Sequence, residues 1–240
     1  MQSASTSTGA NVFQYTYTSG SPYNDDWILE KVKGMADIYS FNKTNNYYDI
    51  NTSDCADDLS SDFDSMGYDG YSMLNSSASM AYTYLPLDTI WVFCGHGMRT
   101  GTSNGELGGG IWFGNSGGRI YAKGGSNSTL TKYINNSPSL SSERCIIYNA
   151  CYSGLTHSTL GNLVDEAYNK GAKLVIGFTS TVGVRPGCYW NELFFEKSCD
   201  GGTVLESMSH ADYWSDFLWN DPGGTEQRYV RGSTSQKLIY

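Results

Sequence analysis

Apolar positions along the chain fall into two textures. Three short runs are almost continuously apolar: Thr89-Ile-Trp-Val-Phe-Cys94, the stretch 144–150 around Cys145-Ile-Ile-Tyr148, and Leu174-Val-Ile-Gly-Phe178. Runs of this length between polar segments predict strands buried on both faces. Elsewhere apolar residues recur at helical spacing. Ile28, Val32, Met35 and Tyr39 share one helical face, with Asp25 or Asp26 as a cap. A second helix is predicted over Leu59–Met66, followed by a short strand near Tyr71–Leu74. A third, capped by the 75–79 segment, runs through Met80, Ala81 and Leu85 to a stop at Pro86. The stretch 42–62 reads as polar and aperiodic.

Further strands are expected at Val12–Thr18 and in a hairpin, 110–113 with 119–123. The segment 128–134 is expected to be helical. Leu160, Leu163, Val164 and Ala167 predict a helix that ends at Gly171, and two more are expected over about 186–197 and 203–217. Segments 227–230 and 236–240 are expected to supply edge strands. Buried strands alternating with helices define an α/β fold, a three-layer sandwich with a mainly parallel central sheet flanked by helices. In such sheets ligands bind beyond the carboxyl ends of the strands. His96, Cys151 and the run Thr179-Ser180-Thr181 all fall at that edge.

Composition narrows the picture. A chain of 240 residues, 39% hydrophobic, supports one large core, and no linker divides it. The expectation is a flexible lead-in over 1–10 and a single domain over 11–240. A net charge of −9 argues against nucleic acid, which needs clustered Lys and Arg. No apolar run is long enough to span a membrane, so no membrane insertion is expected. A texture rich in Ser, Thr, Gly, Asn and Tyr points to a secreted or cell-surface domain, expected to have lost its signal peptide. The six cysteines have neither metal-type nor framework-type spacing.

The candidate chemistry lies at two strand ends. Phe93-Cys-Gly-His96-Gly97 follows the first buried strand, and Asn149-Ala-Cys151 follows the second, 55 residues after His96. An ordinary thiol, with a pKa near 8.5, is only slightly ionised at neutral pH, and a nearby imidazole is its usual activator. Acyl transfer also needs donors for the oxyanion. The N–H groups of Gly97 and of Cys151 itself are the natural pair. The Gly-rich stretch 95–118 would form a mobile rim beside the site.

An apolar strand ending in His-Gly, followed about fifty residues on by one ending in Ala-Cys, resembles the caspase-like (clan CD) cysteine peptidases, nearest their clostripain- and gingipain-type bacterial branch. The resemblance covers roughly residues 60–215. It implies a cysteine endopeptidase acting on protein or peptide substrates through a thioester on Cys151, with His96 as base and acid and Gly97 on the oxyanion. It demands no third acidic member. Basic-selective members carry an acid two positions before the cysteine, where this chain has Asn149. With Thr179 and Ser180 as the other expected substrate-binding residues, the pocket is expected to be neutral and polar unless Glu106 or another loop acid supplies charge.

Other residues have plainer expectations. His157 is expected to cap a helix start and face solvent, and His210 to be structural or exposed. Cys94 and Cys145 read as core thiols, and Cys55, Cys188 and Cys199 as cysteines able to pair. Trp91, Trp112, Trp190, Trp214 and Trp219 read as core or rim packing. The acidic run Asp54, Asp57, Asp58, Asp62, Asp64 could take calcium but lacks an EF-hand pattern, so a solvated face and no cofactor are expected. Two rival readings are a non-catalytic peptide-binding or regulatory module, and a zinc protein using Cys94 and His96 with Cys145 or Cys151. The sequence carries no reading of oligomeric state.

Overall fold

The computed structural model describes residues 5–8, 11–14, 30–31, 34–40, 51–99, 106–114, 117–219 and 224–239. In chain order the elements are β1 (Ser5–Thr8), β2 (Asn11–Gln14), β3 (Glu30–Lys31), β4 (Met35–Ser40), α1 (Ser53–Ser65), β5 (Asp69–Leu74), α2 (Ala78–Tyr84), β6 (Ile90–Cys94), β7 (His96–Arg99), β8 (Leu107–Trp112), β9 (Arg119–Tyr121), β10 (Thr131–Tyr133), β11 (Cys145–Asn149), α3 (Leu163–Asn169), β12 (Leu174–Phe178), α4 (Val184–Cys199), α5 (Val204–Trp219) and β13 (Arg228–Gly232). The central sheet has the order β13-β12-β11-β6-β4-β5. Every neighbouring pair in it is parallel except β12 with β13.

The buried runs are apolar throughout because alternate residues feed two cores. On one face Ile38, Val92, Cys94, Ile147 and Ile176 pack against Leu59 and Phe63 of α1, Trp190, Phe194 and Phe195 of α4, and Met208 of α5. On the other, Tyr39, Trp91, Phe93, Ile146, Tyr148 and Val175 pack against Ala78 and Ala81 of α2 and Leu163, Val164 and Ala167 of α3. Helix, sheet, helix is the expected three-layer arrangement. Local signals set the ends of the shorter helices. Ser77 Oγ accepts from Met80 N–H at the start of α2, and Asn162 Oδ1 accepts from Val164 and Asp165 N–H at the start of α3.

A second sheet, β10-β9-β8-β7, carries the predicted hairpin as β8 and β9. Ile111, Phe113 and Ile120 join it to the α2/α3 core. A third, small sheet pairs β1, β2 and β3 antiparallel. Within the expected lead-in, Ser5–Thr8 is therefore strand; β2 meets the strand expected at 12–18 over residues 12–14, and residues 15–18 lie outside the described residues.

Several expectations are corrected. The helix expected from Asp26 gives way to a strand where it is described. Met35–Ser40 is β4, because Ala36 to Ser40 are all buried, with both faces of the strand covered. Residues 26–29 and 32–33 lie outside the described residues. The polar stretch 42–62 contains most of α1, whose buried Ala56, Leu59 and Phe63, with Met66 at its C-terminal cap, repeat at helical spacing. The helix expected at 128–134 is instead β10, parallel to β9, followed by one 3-10 turn at Ile134–Asn136. Ser128 Oγ accepts from Thr131 N–H and turns the chain there. Of the two tail segments only β13 is a strand. Residues 237–239 are held instead by Arg144, which donates to the carbonyls of Lys237 and Ile239, and by an isolated bridge between Thr203 and Lys237. Among the described residues no helix is long and apolar enough to cross a membrane.

Candidate active site

β6 and β11 are parallel neighbours, with Cys94 opposite Asn149, so the residues that follow them emerge side by side at one sheet edge. After Cys94 the chain changes sheet within one residue. Gly95 N–H donates to Asn149 O at 3.1 Å, and His96 already begins β7, opposite Trp112 of β8. The imidazole lies beside the Trp112 indole, ring centres 5.8 Å apart and planes tilted 35°. Thr52, just before α1, donates through Oγ1 to Cys94 O at 3.0 Å and ties the end of β6.

Cys151 sits on a tight turn after β11. Tyr152 holds φ at 58°, a left-handed conformation costly for a residue with a side chain and typical of constrained functional turns. The turn is fastened to the end of β12: Tyr152 N–H donates to Ser180 O (2.9 Å) and Gly154 N–H to Phe178 O (2.7 Å). Ser153 Oγ, fully buried, donates to Tyr148 O (2.6 Å) and accepts from Phe178 N–H (3.0 Å). Gly97 packs directly on the nucleophile candidate. A Cβ there would stand 1.7 Å from Cys151 O and 3.1 Å from Cys151 N, so only glycine lets the two backbones meet.

His96 and Cys151 line one cavity of about 130 Å³, with Thr52, Cys94, Gly95, Asn149, Ala150, Val182, Gly183 and Val184. The Cys151 thiol lies 3.5 Å from Val182 O, to which it can donate, and Sγ accepts Val182 N–H at 3.3 Å. Asn149 is in the lining, and its amide is committed: Nδ2 donates to Gly187 O at 2.7 Å, fixing the first turns of α4. Thr179 and Ser180 stand at the end of β12, outside the lining. Thr179 N–H donates to Gln227 O, and Ser180 Oγ donates to Thr181 O. Val182–Val184 form the wall in their place. Their only sequence signal is position, since the chain must cross the sheet edge between β12 and α4; Thr52 carries none.

Other candidates are sorted by the same geometry. The 95–118 stretch is not all rim, because 96–99 and 107–112 are paired strands. His157 is buried, not solvent-facing. Its Nδ1 accepts from Thr159 and Leu160 N–H (3.1 Å each), which places the proton of the neutral ring on Nε2, 3.4 Å from Glu106. Glu106 also accepts from the N–H and hydroxyl of Ser158, which hold its carboxyl below the usual range, and it does not line the cavity. Cys145 lies at the opposite end of β11, across from Ile90, where burial raises its thiol pKa. Among the described residues no group of three or more His, Cys, Asp or Glu could hold a metal ion. Trp91 and Trp190 are core residues, Trp214 is exposed, and the Trp219 side chain lies outside the described residues.

No protein-family model matches the sequence, and no curated protein matches it. The structure does find counterparts. The Arg-specific cysteine proteinase gingipain R (RGPB) matches with a TM-score of 0.57 at 12% identity, over 86% of this chain and 48% of that one. The complex of Porphyromonas gingivalis RgpB pro- and mature domains matches at 0.55 and 14%, over 85% and 48%. The Saccharomyces cerevisiae separase–securin complex matches at 0.51 and 14%, over 84% of this chain but 12% of that one. The fold is that of the caspase-like cysteine peptidases. The chain spans about half the length of the gingipain structures it matches. At these identities the likeness carries the caspase-like α/β architecture and leaves substrate and activity to the site.

Proposed function

We propose that the chain is a cysteine endopeptidase with Cys151 as nucleophile and His96 as general base and acid. One observation carries the reading: two adjacent parallel strands deliver His96 and Cys151 into the same cavity, with the Gly97 backbone laid on that of Cys151. His96 takes the thiol proton, and the sulfur attacks the scissile carbonyl. The oxyanion is held by the N–H groups of Gly97 and Cys151, donors of a kind worth about 3–4 kcal/mol each. The imidazolium then protonates the leaving amine, and water attacking with His96 as base hydrolyses the thioester. The hydrogen bond from Val182 N–H holds the sulfur in place before substrate arrives. Trp112 positions the imidazole.

The cavity suits an uncharged side chain. Apart from His96, its described lining carries no ionisable group except the thiols of Cys94 and Cys151. The surface texture supports an exported domain working on extracellular protein or peptide.

A diverse peptide library incubated with the wild type, Cys151→Ala and His96→Ala tests the reading. Cleavage by the wild type, lost in both variants, together with labelling of Cys151 by a peptidyl electrophile, is expected. Equal profiles from all three proteins, or no labelling, would replace it with a module that binds peptide in the same cleft without cutting it.

A further inference from the structure

Apart from Cys151, the cysteines whose surroundings are described differ sharply. Cys145 is sealed in the core, and Cys199 faces the Asp62 carbonyl at 3.4 Å. Cys94 and Cys188 face each other with sulfurs 3.7 Å apart. Cys94 ends β6 and lines the cavity two residues before His96; Cys188 stands in the second turn of α4 and is half-buried. Nothing in the expected chemistry uses this contact.

The backbone around the two sulfurs is tied together from the neighbouring strand β11. Asn149, the register partner of Cys94, donates to the carbonyl of Gly187, the neighbour of Cys188. A Cβ on Gly187 would lie 2.7 Å from Val182 Cγ1 and 2.8 Å from Asn149 Oδ1, so glycine is what allows the approach. A disulfide needs sulfurs about 2.05 Å apart. From 3.7 Å they must close by about 1.7 Å, the scale of a side-chain rotation with a small backbone adjustment.

We propose that Cys94 and Cys188 are a redox dithiol which a disulfide oxidant of the glutathione class closes into a bond between β6 and α4, shutting down the cavity where His96 and Cys151 meet. Cys188, the more accessible thiol, attacks one sulfur of oxidised glutathione as its thiolate and releases one glutathione thiolate. Cys94 then attacks the Cys188 sulfur of the mixed disulfide and releases the second. Two protein thiols are oxidised, one glutathione disulfide is reduced to two thiols, and the two protein protons pass to the departing glutathiones. The bond joins both walls of the cavity, since Cys94–His96 form one side and Gly183–Val184, at the start of α4, the other. Drawing them together displaces His96 relative to Cys151. Chemistry of this kind loses about 100-fold for a misplacement near 1 Å.

The effect on cleavage rests on the proposed peptidase activity; the disulfide does not. The full chain is equilibrated over a series of reduced-to-oxidised glutathione ratios, free thiols are alkylated, and an unreduced digest is read by mass spectrometry. A peptide pair linked through Cys94 and Cys188, abolished by dithiothreitol and absent from Cys188→Ser, is expected. In the same samples cleavage, expressed per Cys151 remaining a free thiol, falls at least tenfold as the link forms and returns on reduction. Cys188→Ser keeps its activity on that scale. Absence of the link at every ratio overturns the dithiol, and a link that leaves cleavage unchanged overturns its control of the cavity. Should no preparation cleave any peptide, the peptidase reading fails while the linked peptide still decides the dithiol.

Discussion

Gly97 and Cys151 touch backbone to backbone: a Cβ on Gly97 would stand 1.7 Å from the Cys151 carbonyl oxygen. The contact joins the last residues of the β6–β7 crossing to the turn after β11, and so relates the two proposed catalytic groups through main chain alone. Gly97→Ala must push these segments apart. The expected outcome is a folded protein, by circular dichroism, whose kcat/KM on a cleaved peptide is lower by about 100-fold or more. Activity within threefold of wild type would mean that the contact does not set the catalytic geometry.

The described cavity lining offers no carboxylate to a basic side chain. Cleavage after uncharged residues should therefore exceed cleavage after Arg or Lys. Val184 stands exposed on the wall, so an acid is tolerated there. Val184→Asp is expected to raise the ratio of Arg and Lys cleavage to uncharged cleavage about tenfold, with the gain shrinking as salt is added. An unchanged ratio, measured with matched peptides differing only at that position, would place the recognised side chain elsewhere.

Ser153 is the pin of the nucleophile turn. Its buried hydroxyl bonds both the end of β11, through Tyr148 O, and the end of β12, through Phe178 N–H. Ser153→Ala leaves the buried Phe178 N–H without its acceptor, while Tyr148 O keeps the Ala150 N–H, at a cost of about 1–3 kcal/mol. For a domain of this size that lowers Tm by about 2–4 °C for each kcal/mol lost. A thermal melt unchanged within 1 °C would show that the turn holds without it.

Much of this arrangement is legible in the chain because the decisive signals are local. Ile90–Cys94, Cys145–Asn149 and Leu174–Phe178 are buried on both faces and so read as apolar throughout. A reactive residue right after such a run must lie at the sheet edge, which is why His96 and Cys151 could be paired from sequence. The misreadings have equally physical sources. Met35 and Tyr39 fit a helical spacing, yet β4 sits between β5 and β6, and pairing with both outweighs the period. Asp37 in the middle of β4 further masks it as a buried strand. Val182–Val184 and Thr52 reach the cavity through tertiary contacts between segments far apart in sequence, and no local pattern encodes those.

Asp37 of β4 also belongs to a buried acidic group with Asp88 and Glu143, which makes a contribution to stability that depends on pH. Asp37, Asp88 and Glu143 are fully buried, and among the described residues neither oxygen of Glu143 has a hydrogen-bond partner. Burial pushes the Asp88 carboxyl up to about 9, with the adjacent Asp37 adding to the rise, and burial raises Asp37 and Glu143 as well. The folded chain therefore keeps protons that the unfolded chain releases near pH 4. With more protons bound in the folded state, the stability these carboxyls contribute is complete below about pH 4 and is lost as pH rises through about 9. Asp88→Asn carries a permanently neutral side chain of the same shape and removes one titrating group from that decline. Its Tm should lie close to wild type at pH 4.5 and above it by several degrees at pH 8.5, in melts at constant ionic strength. Equal displacement at both pH values would mean that the substitution acts through packing, and a wild-type Tm that climbs steadily from pH 4.5 to 8.5 would show that these carboxyls are ionised in the folded chain.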